Sequence, residues 1–388
     1  MGNRLRPSFI TGWRFRWLEL QLLFRLAQTA FRLYPRRSDA WQALRRQIAV
    51  HREYRRLCHL TKAVRVGERT IVQLSFPHVH SAAAEVLAIN ELLHRVPVNG
   101  RRPGLNKLFL AITKKCSLRC AHCYEWDALN GRERLSVGDV LGIIRKFQAE
   151  GVATVELTGG EPLNRFDDLL HILGTSDTRQ SDFWVTTSGY RLTAARAGAL
   201  KAAGLLGVAI SLDHWDAAAH DAFRGLPGSF EWVRLAVQHA QAAGLAVCLE
   251  LTALRAFCTP GHLWRYARLA RAWGVHLIRI LEPQAVGHFA GQDVLLRPAE
   301  IAALEAFVAE IQHNRACRDF PVVEYYAPHQ RHAGCSGAGR RFMYVDTDGG
   351  MHACPFCRHT CGNAVEEPVA HGMRQMAQAG GCHLYSSV

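Results

Sequence analysis

No stretch of this 388-residue chain runs beyond 15 residues without a formal charge. A helix needs about 20 apolar residues to cross a bilayer, so a transmembrane span is not expected. Internal repeats and low-complexity tracts are missing too, which argues against a solenoid or a fibre. Acidic residues are scarce at the front. Residues 1–107 hold 6 Asp+Glu against 20 Lys+Arg, whereas residues 108–388 hold 27 of each. The entire net charge of +14 therefore lies in the first part of the chain. Hydrophobic residues make up 49%, enough for a large core, and the length suits about two or three domains.

Cysteine is not scarce. Cys116-Ser-Leu-Arg-Cys120-Ala-His-Cys123 packs three of the 12 cysteines into a C-x3-C-x2-C loop. A cubic iron–sulfur cluster takes thiolate ligands, usually four. Three thiolates leave one iron open to a non-protein ligand, and an open position marks a catalytic metal site. Zinc knuckles use C-x2-C pairs completed by a second pair or by histidines. The spacing thus favours a cluster and keeps zinc as the alternative.

The context is strand-like. Leu108–Thr113 is an apolar run ending just before the cysteines, and Ala153–Thr158 is another, followed by Gly159-Gly160-Glu161-Pro162. Loops at the carboxyl ends of strands are where barrels and doubly wound sheets build their sites. Glycines there let a ligand approach the backbone closely. Their N–H groups and the Glu161 carboxylate are expected to hold the polar groups of an amino acid.

At these residues the chain resembles the radical SAM enzymes. The resemblance rests on the cysteine loop, on His122 where that family usually has an aromatic, and on Gly159–Pro162. It extends to Ile210-Ser-Leu-Asp213, and to Thr187-Ser-Gly189 where relatives often carry Thr-Asn-Gly. His220–Gly225 and Gly228–Glu231 are similar to segments of the family's peptide-modifying branch, and the match covers about residues 105–360. The resemblance implies that Cys116, Cys120 and Cys123 hold a 4Fe-4S cluster whose open iron is chelated by S-adenosylmethionine (SAM). It implies that reductive cleavage of SAM gives a 5′-deoxyadenosyl radical, which takes a hydrogen atom from the substrate. His122, Gly159, Gly160, Glu161, Pro162, Ser188, Ser211 and Asp213 are the implied SAM-binding residues. Gly160 and Glu161 would face the methionyl amine, and Ser211 and Asp213 the ribose. Glu282 is either a ligand contact or an ordinary loop carboxylate.

Strand-like runs at 108–113, 153–158, 182–187, 207–212, 245–252 and 275–281 alternate with helix-like runs at 136–150, 166–174, 192–203, 229–243 and 261–273. Ser136 reads as a helix N-cap. Gly151, Gly204, Gly244 and Gly274 follow helix patterns, as C-terminal glycines do. Strict alternation argues for an α/β fold with a parallel sheet and right-handed crossovers. The resemblance implies a partial (β/α)6 TIM-type barrel, open on one side.

A second group of cysteines, Cys335, Cys354, Cys357, Cys361 and Cys382, follows residue 330. Between the first two, Phe342–Cys354 reads as a hairpin turned on Asp-Gly-Gly. By spacing alone zinc and iron–sulfur are equally served. The resemblance implies an auxiliary-cluster domain of the SPASM or twitch type. Five cysteines fall short of two fully thiolate-ligated cubes, so one auxiliary 4Fe-4S cluster is expected. Cys335, Cys354 and Cys357 would ligate it, with Cys361 and Cys382 competing for the fourth place. Cys248 reads as core, and no disulfides are expected.

The domain reading is a basic amphipathic helical extension (1–60), a hairpin-plus-helix module (61–104), the partial barrel (105–285), a helical linker (286–330) and a Cys-rich domain (331–388). Residues 13–34 form a helix with a narrow polar stripe among many aromatics. Such a helix suits a membrane interface or a partner's groove, or it packs on the barrel's open side. No nucleic-acid motif accompanies the charge. No signal-peptide pattern opens the chain, and clusters need reduced thiols, so the expected location is cytoplasmic, including the inner membrane face. The expected function is radical modification of a ribosomally made peptide by crosslinking, epimerisation or oxidation. A small molecule or lipid is the alternative substrate, and a non-enzymatic zinc protein is the remaining one. A reductant such as flavodoxin or ferredoxin is the expected electron partner.

Overall fold

The computed structural model describes residues 7–98, 100–337 and 339–379. Cys382 therefore lies outside the described residues. Strand β1 (Ser8–Ile10) leads into two long helices, α1 (Gly12–Leu33) and α2 (Arg37–Leu57). Strands β2 (Ala63–Val66) and β3 (Arg69–Ile71) form a tight hairpin, and β1 pairs antiparallel with β2 to make a three-stranded sheet. Gly67 holds a positive φ of 59° at the hairpin turn, a conformation that glycine adopts at no steric cost. Helix α3 (Ala82–Arg95) follows, capped by the Ser81 hydroxyl.

The main unit then alternates strand and helix. Its strands are β4 (Lys107–Ala111), β5 (Thr154–Thr158), β6 (Asp182–Thr187), β7 (Gly207–Ser211), β8 (Ala246–Thr252) and β9 (Leu277–Leu281). The helices between them are α4 (Val137–Ala149), α5 (Phe166–Thr175), α6 (Ala194–Ala202), α7 (Ala217–Arg224), α8 (Ser229–Ala242) and α9 (Pro260–Ala272). All six strands pair in parallel, in sequence order. This is the α/β architecture of a partial TIM-type barrel. Ser136 caps α4 through a full capping box with Asp139.

Three strands extend this sheet beyond the six. The segment read as a helical linker holds helix α10 (Pro298–His313) but also β10 (Val322–Tyr325), which pairs in parallel with β9. Helix α11 (Ala327–Ala333) then leads to β11 (Phe342–Val345) and β12 (Met351–His352), the antiparallel hairpin read from the sequence. β11 also pairs in parallel with β4, so the sheet order is β10-β9-β8-β7-β6-β5-β4-β11-β12. The Cys-rich segment is thus fastened to the barrel by main-chain hydrogen bonds. Helix α12 (Val369–Ala379) completes the described chain.

Parallel strands covered on both faces read as near-continuous apolar runs. The outer faces pack Val155, Leu157, Val208, Ile210 and Leu249 against the surrounding helices. Inside, the amino-terminal end of the barrel is plugged. Val64, Val66 and Ile71 of the small sheet, with Leu74 just beyond it, pack on Trp184, Ala209, Cys248 and Leu277. The inert reading of Cys248 holds, because it is fully buried in this cluster.

Candidate active site

Above the plug lies a charged layer that the strand-by-strand reading missed. Arg279 Nη2 meets Glu156 Oε1 at 2.5 Å, and Lys107 Nζ meets Glu156 Oε2 at 2.6 Å. Arg279 also pairs with Glu250. Glu250, Arg279 and Glu324 are register neighbours across β8, β9 and β10. Burial would raise the Glu156 carboxyl, but Arg279 and Lys107 outweigh it and hold it low. Burial wins at Glu250 and pushes it up. Charge inside an apolar strand was the available signal. Its meaning depends on neighbouring strands, which local pattern does not carry.

At the carboxyl ends of the strands this interior opens into a cavity of about 2290 Å³. Cys116, Cys120, Cys123, Cys335, Cys354 and Cys357 all line it. So do His122, Gly159, Gly160, Glu161, Ser188, Ser211, Asp213 and Glu282. Pro162 opens a single helical turn directly behind the wall.

The cysteine loop after β4 is held from several sides. Arg119 N–H donates to the Arg224 carbonyl at 3.1 Å and Ala121 N–H to the Phe223 carbonyl at 3.0 Å. His288 N–H donates to the Cys123 carbonyl at 2.9 Å, and the His288 ring stacks on Trp126 at 3.7 Å. Gly160 N–H donates to the Thr113 carbonyl at 2.7 Å and Glu161 N–H to the Lys115 carbonyl at 2.8 Å. A Cβ at Gly159 would sit 2.5 Å from the Thr113 oxygen, and one at Gly160 would sit 2.6 Å from the Lys115 oxygen. The Gly160 N–H is therefore already engaged by the backbone rather than free for a ligand. The glycines are needed because two backbones touch there.

The Glu161 carboxylate is likewise engaged. It is 1% exposed and accepts from Thr187 Oγ1 at 2.7 Å, Leu163 N at 3.1 Å, Ser188 N at 2.8 Å and Ser188 Oγ at 2.5 Å. Burial still pushes its pKa up. Glu161 ties Gly159–Pro162 to Thr187–Gly189, so in this structure its carboxylate positions the two motifs.

Asp213 also has partners. Its Oδ2 lies 2.6 Å from Arg224 Nη2, and its Oδ1 accepts from Thr252 N at 3.2 Å. Arg224 Nη1 reaches Cys120 Sγ at 3.5 Å, which links the acidic motif to the cysteine loop. Burial opposes the Asp213 charge, but Arg224 keeps the carboxyl below the usual range. His122 Nε2 lies 3.8 Å from Asp213 Oδ1, and burial lowers its pKa to about 4, so the ring is neutral near pH 7. Arg224 and helix α7 were missed as parts of the site. The signal was the match at His220–Gly225, which carried no role.

Among the described residues, no three Cys, His, Asp or Glu side chains converge on a point that one metal ion could occupy. Burial pushes Cys116 and Cys123 up to about 12. Buried thiols ionise only when a cation supplies compensating charge. His122 Nδ1 and Arg224 Nε are buried without a hydrogen-bond partner, and both residues line the cavity. Three thiols beside unpaired polar atoms fit a cluster with a polar ligand on it.

In the second group, Cys354 and Cys357 sulfurs are 3.5 Å apart. Cys361 does not line the cavity. It is 5% exposed and packs in the apolar cluster with Met351, Val369 and Met376. Glu282 accepts from Tyr325 OH at 2.5 Å and Arg331 Nη1 at 2.6 Å, an ion-paired arrangement that favours the loop-carboxylate reading.

Residues 110–271 match the radical SAM superfamily model. That stretch is similar to a radical SAM domain. It is 34% identical over 203 residues to GTP 3′,8-cyclase from Synechococcus sp., covering 49% of this chain and 58% of that protein. It is 27% identical over 288 residues to the mycofactocin maturase MftC of Mycobacterium ulcerans, covering 70% and 77%. The chain thus spans less than two thirds of the cyclase. In fold, it is similar to Streptococcus suis SuiB bound to precursor peptide SuiA. The TM-score is 0.57 at 16% identity, covering 68% of this chain and 63% of that one. The radical SAM family uses a 4Fe-4S cluster and SAM. No helix of the described residues is long and apolar enough to cross a membrane.

Proposed function

We propose that this chain is a radical SAM enzyme that modifies a ribosomally made peptide by crosslinking, epimerisation or oxidation. One observation carries the reading: both cysteine trios line a single cavity of about 2290 Å³. Pockets for small ligands measure about 300–1,000 Å³, so this one has room for an extended substrate beside its cofactors. The peptide-related names of MftC and of the SuiB complex support the same class.

Cys116, Cys120 and Cys123 would hold the first cluster, and Cys335, Cys354 and Cys357 an auxiliary one. SAM bound at the first cluster supplies a 5′-deoxyadenosyl radical able to take hydrogen from unactivated carbon. His122, Ser211 and Asp213 would border SAM, with the neutral His122 Nδ1 free to accept or donate there. Arg224 neutralises Asp213 and places its guanidinium 3.5 Å from the Cys120 sulfur. Glu161 and Ser188 fix the two loops that frame the site. Flavodoxin or ferredoxin is the reductant class that would serve the cluster.

The test is incubation of reconstituted protein with SAM, dithionite and the short peptides encoded beside its gene, read by mass spectrometry. A product lacking a hydrogen pair, or labelled from heavy water, is expected. A second reading, a lipid or other apolar small molecule, is favoured by Trp17, Leu20 and Phe24, which border the same cavity. Unchanged peptides together with a converted lipid extract would select it.

A further inference from the structure

Helix α1 buries Phe15, Leu18 and Ala30 on one face. On the opposite face, Trp13, Trp17, Leu20, Phe24 and Phe31 fall at i, i+4, i+7, i+11 and i+18, the spacing of one helical stripe. They are exposed by 74%, 59%, 57%, 65% and 41%. Trp41 of α2, 51% exposed, meets Phe31 edge-on at 5.3 Å and widens the stripe. Single exposed apolar residues are ordinary, but a contiguous patch of large ones marks a contact surface.

The charge around the stripe names the contact. Arg14 and Arg25 flank it on one side and Arg16 on the other, all exposed. Arg36, Arg37, Arg45 and Arg46 are exposed on the adjoining turn and α2. Neither helix carries an exposed acidic residue: Glu19 is buried against Arg55, while Asp39 and Glu53 are half-buried. An apolar aromatic face edged by arginines fits the headgroup boundary of an anionic bilayer. A second copy of this chain would set the same arginines near one another, which like charge opposes.

We infer that α1 and the start of α2 dock this protein flat on an anionic membrane surface. Trp17, Leu20 and Phe24 belong both to the docking face and to the cavity rim, so the substrate enters from the membrane side. This holds whether the substrate is a peptide or a lipid.

The test is flotation of the full chain with vesicles, without SAM or reductant, so that failed catalysis cannot imitate failed binding. Vesicles of phosphatidylcholine mixed with phosphatidylglycerol should bind at least about tenfold better than phosphatidylcholine alone, and less well at high salt. The triple variant Trp13→Ser, Trp17→Ser, Phe24→Ser should lose at least about tenfold in binding, with an unchanged melting temperature because these side chains are exposed. Should that variant melt lower, Arg14→Gln with Arg25→Gln gives a second reading, a loss of preference for the anionic vesicles. Equal binding of all variants, equal binding to both vesicle types, or a concentration-dependent dimer abolished by the triple variant would overturn the inference.

Discussion

The two cysteine trios face one cavity but are built differently. The first sits on a loop clamped by β5, α7 and the Gly287–Phe289 turn, with Arg224 bridging Cys120 to Asp213. The second follows a short hairpin that reaches the barrel through β11 pairing with β4. Its Cys354 and Cys357 sulfurs touch at 3.5 Å, and that contact, with burial, pushes the Cys354 thiol far up. The first trio thus has an arginine built in beside one of its sulfurs, while the second is placed by a hairpin on the sheet edge. On the proposed reading the chemistry begins at the first trio and the second supports it.

Removing a ligand from each trio tests the contrast most strongly. Cys120→Ala should lose about four irons per chain and all 5′-deoxyadenosine formation. Cys354→Ala should also lose about four irons but retain 5′-deoxyadenosine formation, while substrate conversion falls. Loss of SAM cleavage in both variants would erase the distinction. Arg224→Gln should come next. It leaves the buried Asp213 carboxylate without its partner, a cost of about 3–5 kcal/mol, and it should alter the electron paramagnetic resonance signal of the first cluster only. Thermal melting and spectra of the reconstituted variant measure both effects.

The far end of the barrel supplies a control. His276, whose Nδ1 accepts from Val247 N at 3.0 Å, has its pKa lowered to about 4 by burial. A histidine depressed in the folded state gives stability that is complete above its unfolded value near 6.5 and is lost as pH falls toward 4. That loss amounts to about 3 kcal/mol. Denaturant titrations of His276→Asn across this window should show a shallower acid limb, with both clusters unaffected. The smallest effect belongs to Cys361→Ala. Packed with Met351 and Met376, it should cost about 1 kcal/mol and leave the iron content unchanged. A drop of about four irons would instead make it a ligand.

Much of this was legible in the chain. The alternation of apolar runs with capped helices located β4–β9 and five of the six helices between them, because buried parallel strands and amphipathic helices leave local periodic marks. The missing helix, α7, is only 8 residues long and fell within a motif rather than a visible period. β10 and β11 were not assigned to the sheet, because joining an edge is a long-range pairing that local pattern does not encode. Among candidate site residues, the first cysteine trio was picked out by spacing and the second by the resemblance, and both line the cavity. Glu161 and Asp213 were found too, but their carboxylates are taken up by Ser188 and Arg224, partners that only the fold brings near. The Lys107–Glu156–Arg279 layer was missed for the same reason. The exposed side of α1 was ambiguous because its sequence carries aromatics on both faces, and only packing decides which face remains in solvent.

The most direct measurement is an iron count with an assay for 5′-deoxyadenosine on the full chain, reconstituted anaerobically and supplied with SAM and dithionite. The account predicts about eight irons and 5′-deoxyadenosine formation. Stoichiometric zinc, no iron–sulfur absorption and no 5′-deoxyadenosine would contradict it.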